Sequence, residues 1–329
     1  MHRKAKIGMI GLRGWGNVVR KALLQCQNLE LVAIWSRDPE SIARAQRELP
    51  CKACETYEAL LAEPIDAVLI VNPNYLHFEY CMSAARANKH VLVEKPMTNT
   101  VAEGKQLVDE FKKRGLLLCV KHMHRFSPPM RKLREMVENG TFGKILSVET
   151  YTSHSSSKNF PPDRWKRDPK LCPAAPLTQL GVHYIDTVMS FLGKPEWVQS
   201  EHRNILKLSE NVDCTVTMIG YEKAVATFHA HYVVPAYSRI AVYGTEGIGL
   251  FEEGGQLRFK KEGGKDFEIV PVPPGDGLVA ALDEFGETLL TGKPYETPGE
   301  VALLVVAAAE AAIKSAAENG RRVSLSEVM

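Results

Sequence analysis

Lys6-Ile7-Gly8-Met9-Ile10-Gly11-Leu12-Arg13-Gly14-Trp15-Gly16-Asn17 decides the fold. A short apolar run enters a glycine-rich turn, and residues 17–27 behind it carry apolar positions at helical spacing. Strand, glycine turn and helix in that order are the context of a dinucleotide-binding turn: glycines let the backbone approach a pyrophosphate, and a helix N-terminus offers N–H groups and partial positive charge. Gly11 and Gly16 fit a Gly-x-Gly-x-x-Gly pattern, whereas Arg13 occupies its middle glycine and Gly14 stands one place on. Arg13 brings a guanidinium where bare backbone normally faces phosphate. The candidate cofactor contacts of this turn are Gly11, Arg13, Gly14, Trp15, Gly16 and Asn17.

Outward from this turn, apolar runs at 6–10, 31–35, 67–71, 90–93 and 116–120 alternate with helical patterns near 17–27, 39–49, 76–88 and 101–114. Such alternation predicts βαβ units, and continuous apolar strands predict a sheet covered on both faces, a doubly wound Rossmann sheet. After about residue 122 the pattern changes to helix 128–139, strand 145–154, an irregular stretch 161–176 and helix 183–192. Alternating runs at 214–220, 224–233, 238–243 and 249–251 follow, then helices at 279–290 and 300–318. The expectation is an α/β protein with a cofactor domain over 1–122 and an α+β domain over 123–329, the latter built on an open, mostly antiparallel sheet.

Length and composition agree. A chain of 329 residues has room for two cores, and 45% hydrophobic with 24% charged residues is ordinary for a globular protein. A net charge of +2 argues against nucleic acid as a partner. The longest apolar run, 301–309, falls far short of the roughly 18 residues of a membrane span, and Gly8, Gly11 and Arg13 interrupt the apolar stretch that a secretory signal would need. Seven cysteines, an odd number, suit reduced thiols and a cytoplasmic location. Cys51 and Cys54 form a CxxC with no second pair, which reads as two small residues beside a strand more readily than as a redox site.

Roughly 20 residues beyond the glycine turn, where an acidic residue would bind the adenosine ribose, stands Ser36, followed by Arg37. A hydroxyl with a guanidinium suits a 2′-phosphate, so NADP(H) is expected in preference to NAD(H). The other reading makes Asp38 the ribose partner and Arg37 a solvated charge.

Asn72-Pro73-Asn74-Tyr75-Leu76-His77 and Glu94-Lys95-Pro96 both follow predicted strands, at the carboxyl ends where open α/β sheets bind ligands. With the glycine turn, His124-Arg125-Phe126-Ser127-Pro128, Trp165-Lys166, Gly181-Val182-His183-Tyr184-Ile185-Asp186 and Tyr243-Gly244-Thr245-Glu246-Gly247, they make a chain that resembles, over nearly its whole length, the glucose-fructose oxidoreductase/inositol dehydrogenase (Gfo/Idh/MocA) family. The resemblance implies an enzyme that oxidises or reduces a sugar, cyclitol or related polyol with NAD(P), and a second domain whose sheet mediates a homodimer or homotetramer. It makes Lys95 and His183 catalytic. It places Glu94 in support of the lysine or the cofactor, and adds Asn72, Pro73, Asn74 and His77 to the cofactor site. It also implies that the Lys95–Pro96 bond is cis.

The chemistry is coherent with that resemblance. Removing a hydroxyl proton during hydride transfer suits an imidazole that titrates near neutrality, and an ammonium beside the oxygen stabilises developing alkoxide. The family's aspartate four residues before the histidine is here Gln179, which can hydrogen-bond a hydroxyl but cannot take its proton. The base is then His183, or Lys95 if burial lowers its pKa. If the segment is helical, Gln179, His183 and Asp186 share a face. Gln179, Asp186 and Arg125 are candidate substrate contacts. Tyr151, Trp165 and His231 offer aromatic faces that suit a polyol, and they suit plain packing of the sheet equally. His122/His124 and His229/His231 lack a third ligand at a useful spacing, so no metal is expected.

The function expected is therefore an NADP(H)-preferring oxidoreductase acting on a small carbohydrate-like alcohol or ketone, with Lys95 from the first domain and His183 from the second. The alternatives are an NAD(P)-dependent glycosidase that oxidises its substrate transiently, and a non-catalytic NADP-binding sensor.

Overall fold

The computed structural model describes residues 3–329. The chain forms two compact units: one takes the residues up to Met123 together with Asp276–Leu303, the other His124–Gly275 with Leu304–Met329. The linear division expected from the sequence differs in one respect, since a segment late in the chain returns to the first unit.

In chain order the first unit begins with β1 (Ala5–Ile10), α1 (Trp15–Leu23), β2 (Leu29–Trp35), α2 (Pro39–Glu48), β3 (Lys52–Ala53), α3 (Tyr57–Leu61), β4 (Ala67–Ile70), α4 (His77–Arg86), β5 (His90–Glu94), α5 (Val101–Arg114) and β6 (Leu118–Lys121). Its six strands lie parallel in the order β3-β2-β1-β4-β5-β6. The order reverses between β1 and β4, so the carboxyl ends of these two strands flank the crevice where doubly wound sheets take ligands. β4 is buried along its length and β1 at all but one residue, as expected for strands covered on both faces.

The helices are terminated by local chemistry. Thr56 and Thr100 cap α3 and α5 by accepting from the Ala59 and Glu103 N–H groups at 3.0 and 3.2 Å, and Gly115, at φ 66°, closes α5. α1 has no such cap. Its N-cap is Gly14, with no side-chain cap and no acidic residue in the first turn. The short β3 and α3 escape a reading by apolar runs because each is only a few residues long.

The second unit holds α6 (Pro128–Glu138), β7 (Ile145–Ser153), α7 (Val182–Leu192), β8 (Trp197–Arg203), β9 (Cys214–Gly220), β10 (Val225–His231), β11 (Tyr237–Gly244), β12 (Gly247–Glu252), β13 (Arg258–Lys261) and β14 (Glu268–Ile269). The chain then supplies α8 (Gly277–Thr291) to the first unit, and closes with α9 (Gly299–Ala317) and β15 (Val323–Ser324). Nine strands run β14-β13-β12-β11-β7-β10-β9-β8-β15. Every neighbouring pair is antiparallel except β7 with β10, as the expected mostly antiparallel sheet requires. β8, β13, β14 and β15 were not expected. β8 is polar at five consecutive residues, Gln199 to Arg203, and the others are short strands at or near the sheet's edges, so none presents an apolar run.

Alternation gives this sheet two different faces. On β10, Ala226, Phe228 and Ala230 are buried while Thr227, His229 and His231 are half-buried. The buried face carries the segment leading into α7: a Cβ added to Gly181 would stand 3.7 Å from that of Ala230. Among the described residues no helix is long and apolar enough to cross a membrane.

Candidate active site

The glycine turn is shaped by close backbone approach. Gly11 has φ +82°, and a Cβ there would come within 2.4 Å of the Val71 carbonyl carbon. A Cβ on Gly16 would meet the Gly11 carbonyl oxygen at 1.9 Å. Only glycine lets α1 begin this close to β1. Arg13 points outward, its side chain 80% exposed and 3.5 Å from the Asp38 carboxylate. That ion pair links the turn to the end of β2. There Ser36 accepts from the Asp38 N–H and from the Ser41 hydroxyl, both at 3.1 Å, and Arg37 is exposed. Arg13, Ser36 and Asp38 are thus brought together, with Arg37 beside them in the chain.

At the ends of β4 and β5 the side chains bind one another. Pro73 opens a single 3-10 turn, Asn74–Leu76, and Asn74 donates to Asn99. The fully buried His77 ring places Nδ1 2.8 Å from the Pro96 carbonyl and Nε2 2.9 Å from that of Asn72. Burial lowers its pKa, outweighing these carbonyls. A ring so committed joins the two loops rather than presenting a group to a ligand, which corrects the placing of His77 among the direct cofactor contacts. The Lys95–Pro96 bond is cis.

Glu94 is the hub of this region. Its Oε1 accepts from Trp15 Nε1 at 2.6 Å and lies 2.7 Å from the Lys121 ammonium, while Oε2 accepts from the Lys95 N–H at 3.2 Å. Burial alone would raise the Glu94 pKa. The charges of Lys121 and Lys95, with hydrogen bonds from Lys121 and Trp15, hold it below the usual carboxylate range. Lys121 is itself fully buried and lies 5.4 Å from the centroid of the Trp15 ring. Sequence reasoning passed over Lys121, because a lysine closing an apolar run reads as a solvated strand end.

These residues fit a dinucleotide. The first turn of α1 has no side-chain cap, and Gly14 opens on free space. The buried Asn17 Oδ1 and Asn72 Oδ1 atoms, near the ends of β1 and β4, have no hydrogen-bond partner within the protein. A buried unsatisfied oxygen is costly, so two of them at a switch point fit a bound group that brings donors to them.

In the second unit, Arg125 and Asp186 form a buried bidentate pair, Nε to Oδ2 at 2.7 Å and Nη2 to Oδ1 at 2.6 Å, with a further bond of 3.1 Å to the Asp186 carbonyl. Their charges satisfy each other and fix α7 against the segment before α6. That geometry corrects the expectation of two substrate contacts. Next to the pair, Thr187 donates to the His183 carbonyl at 2.8 Å, so its oxygen accepts from His124 Nδ1 at 2.9 Å. The proton is thereby placed on Nδ1, leaving Nε2 as the acceptor nitrogen. Burial brings the His124 pKa down to about 4 against the opposing charges of Asp186 and Glu253. The His124 and His183 rings are 6.3 Å apart between centroids. His124 was legible only as part of a motif, since nothing local to it reports the distant Thr187.

Gln179 lies in a π-turn, Leu177–Gly181, in which the Val182 N–H reaches back to the Leu177 carbonyl. The extra residue alters the one-face arrangement expected of Gln179 and His183 in an α-helix. Gln179 is buried, and His183 is half-buried at the start of α7.

Of three further candidates, two lie on the other face of the sheet and one packs beside the π-turn. Tyr151 pairs with His229 across β7 and β10, and its ring is 5.1 Å from that of His231. Because His231 adjoins Ala230, strand alternation puts Tyr151 and His231 on the face opposite α7. Trp165 packs with Phe160 and Leu180 against a small core of Cys172, Ala175 and Tyr232. For Trp165 packing is the reading the structure favours.

Residues 5–122 match the family described as "Oxidoreductase family, NAD-binding Rossmann fold", and residues 130–248 match the GFO/IDH/MocA C-terminal domain. Among curated relatives, the chain is 27% identical over 235 residues to scyllo-inositol 2-dehydrogenase (NADP(+)) IolW of Bacillus subtilis, covering 70% of this chain and 64% of that protein. It is 29% identical over 213 residues to D-glucoside 3-dehydrogenase of Escherichia coli, covering 62% of this chain and 60% of that protein. The match therefore spans less than two thirds of either relative. A solved structure from Desulfitobacterium hafniense, described as a candidate NADPH-dependent oxidoreductase, is 26% identical with a TM-score of 0.94, covering 100% of this chain and 99% of that one. On both matches and on its fold, the chain belongs to the Gfo/Idh/MocA oxidoreductase family.

Proposed function

We propose that the chain is an NAD(P)-dependent oxidoreductase that interconverts a secondary alcohol and a ketone on a sugar, cyclitol or related polyol, with NADP(H) preferred. The observation that carries this reading is the gathering, at the carboxyl ends of β1, β4 and β5, of an uncapped helix start, two unsatisfied asparagine oxygens and the Glu94-Lys95 pair. The substrate class is supported by the cyclitol and glucoside named in the two curated relatives.

Gly11, Gly14 and Gly16 would hold the pyrophosphate, Asn17 Oδ1 would accept from a ribose hydroxyl, and Asn72 with Asn74 would border the nicotinamide half. Arg13, Ser36 and Arg37 would take a 2′-phosphate. The bound nicotinamide supplies or accepts the hydride. Lys95 holds its ammonium at the substrate oxygen and stabilises negative charge there, while Glu94 fixes the Lys95 backbone. His183 takes or returns the hydroxyl proton, and Gln179 donates to a substrate hydroxyl.

For the assembly, the half-buried face of the nine-stranded sheet, where Val216 is 37% and Tyr237 is 42% exposed, supports a homodimer or homotetramer. The test of the activity is turnover across a panel of sugars, cyclitols and polyols with each cofactor, followed by absorbance of the reduced nicotinamide. Net redox on at least one member is expected; none with either cofactor overturns the reading.

A further inference from the structure

Lys121 is an ammonium with no exposed surface, placed where β6 ends beside β5. Burying an ion pair generally gains little over burying apolar side chains of similar volume, so the Glu94–Lys121 pair is not explained by stability. Its surroundings point elsewhere. It holds Glu94 Oε1 at 2.7 Å, it lies 5.4 Å from the ring of Trp15 in the glycine turn, and Glu94 feels the charge of Lys95 as well. Around Glu94, then, stand two ammonium charges against one carboxylate. Glu94 and Lys121 are buried, so the charge that Lys121 adds beside the half-buried Lys95 is only weakly screened by water.

The two forms of a nicotinamide ring differ in charge: oxidised it is a cation, reduced it is neutral. We infer that Lys121 is a specificity-determining residue that biases this site toward the reduced cofactor, and so toward reduction of the ketone, by adding a buried positive charge to the Glu94–Lys95 pair. The inference rests on the cofactor reading above and deepens it. Without Lys121 the pair is neutral overall and discriminates little between the two redox forms.

The test is the ratio of two dissociation constants, oxidised over reduced, measured on the full chain with NADP+ and NADPH and again with NAD+ and NADH. Fluorescence of the bound reduced cofactor and its displacement by the oxidised form give both values. Lys121→Met should lower the ratio by about tenfold, the order of one unit charge acting across a poorly screened site. The double variant Lys121→Met/Glu94→Gln removes one charge of each sign, leaves Lys95, and should restore the ratio to within a few-fold of wild type. It also relieves the unpaired Glu94 that could unfold the single variant. A uniform loss of affinity for both forms, with the ratio unchanged, is what a merely structural Lys121 would give and overturns the inference alone. Wild-type protein that binds neither form overturns the cofactor reading and this inference together.

Discussion

His124 shows how a single side chain can make the second unit sensitive to pH. Its folded pKa of about 4 lies below the ordinary histidine value, so between about 6.5 and 4 the unfolded chain binds a proton that the folded chain refuses. The stability it contributes is complete above pH 6.5 and is lost as pH falls toward 4. Thermal unfolding should therefore drop across that window, less steeply in His124→Gln; an unchanged slope removes the assignment. Lys95→Met should cut turnover by about a hundredfold or more while affinity for the reduced, neutral cofactor changes little, the mark of a group that acts on the reacting oxygen. Arg37→Ala should weaken NADPH much more than NADH, and equal losses would refute a 2′-phosphate site. Gly11, Gly16, Glu94 and Lys95 could be read directly because their chemistry is written in short local patterns. Lys121 and His124 could not, because a lysine or histidine gives no local sign of the distant partner, Glu94 or Thr187, that makes its burial tolerable.

At the scale of elements, β1, β4, β5 and β9 were legible because unbroken or alternating apolar runs leave only one way to bury them. The π-turn at Leu177–Gly181 was not legible. Its wide turn brings Gly181 close to Ala230 of the sheet, a contact between distant residues that no local residue preference reports. Gly16→Ala is predicted to damage the first unit at its most crowded contact, since the new methyl would lie 1.9 Å from the Gly11 carbonyl oxygen. α1 would have to move away from β1, and affinity for either cofactor should fall by at least tenfold in a titration. Thr100→Ala makes a useful contrast: loss of the α5 cap should cost about 1 kcal/mol in denaturant unfolding and leave cofactor affinity unchanged.

For the whole molecule, the sheet face bearing Val216 and Tyr237 is expected to be covered by a second copy. Light scattering after gel filtration should give at least a dimer, and Val216→Asp should shift it toward monomer; a wild-type monomer at micromolar concentration ends that proposal. The order of events along the chain has its own consequence. β6 receives its outer partner late: Val120 N–H donates to the Thr297 carbonyl at 3.0 Å, Thr297 Oγ1 donates to the Val120 carbonyl at 2.5 Å, and Cys119 bridges to Pro298. The other side of the unit does likewise, with the Gln27 and Asn28 N–H groups donating to Asp283 at 2.7 and 3.0 Å. A ribosome that has delivered the first 123 residues has therefore made a sheet still missing its last covering, and must synthesise most of the second unit before that covering arrives. The nascent first unit must wait with an exposed flank, and a fragment ending at residue 123 should aggregate unless residues 276–303 are supplied with it.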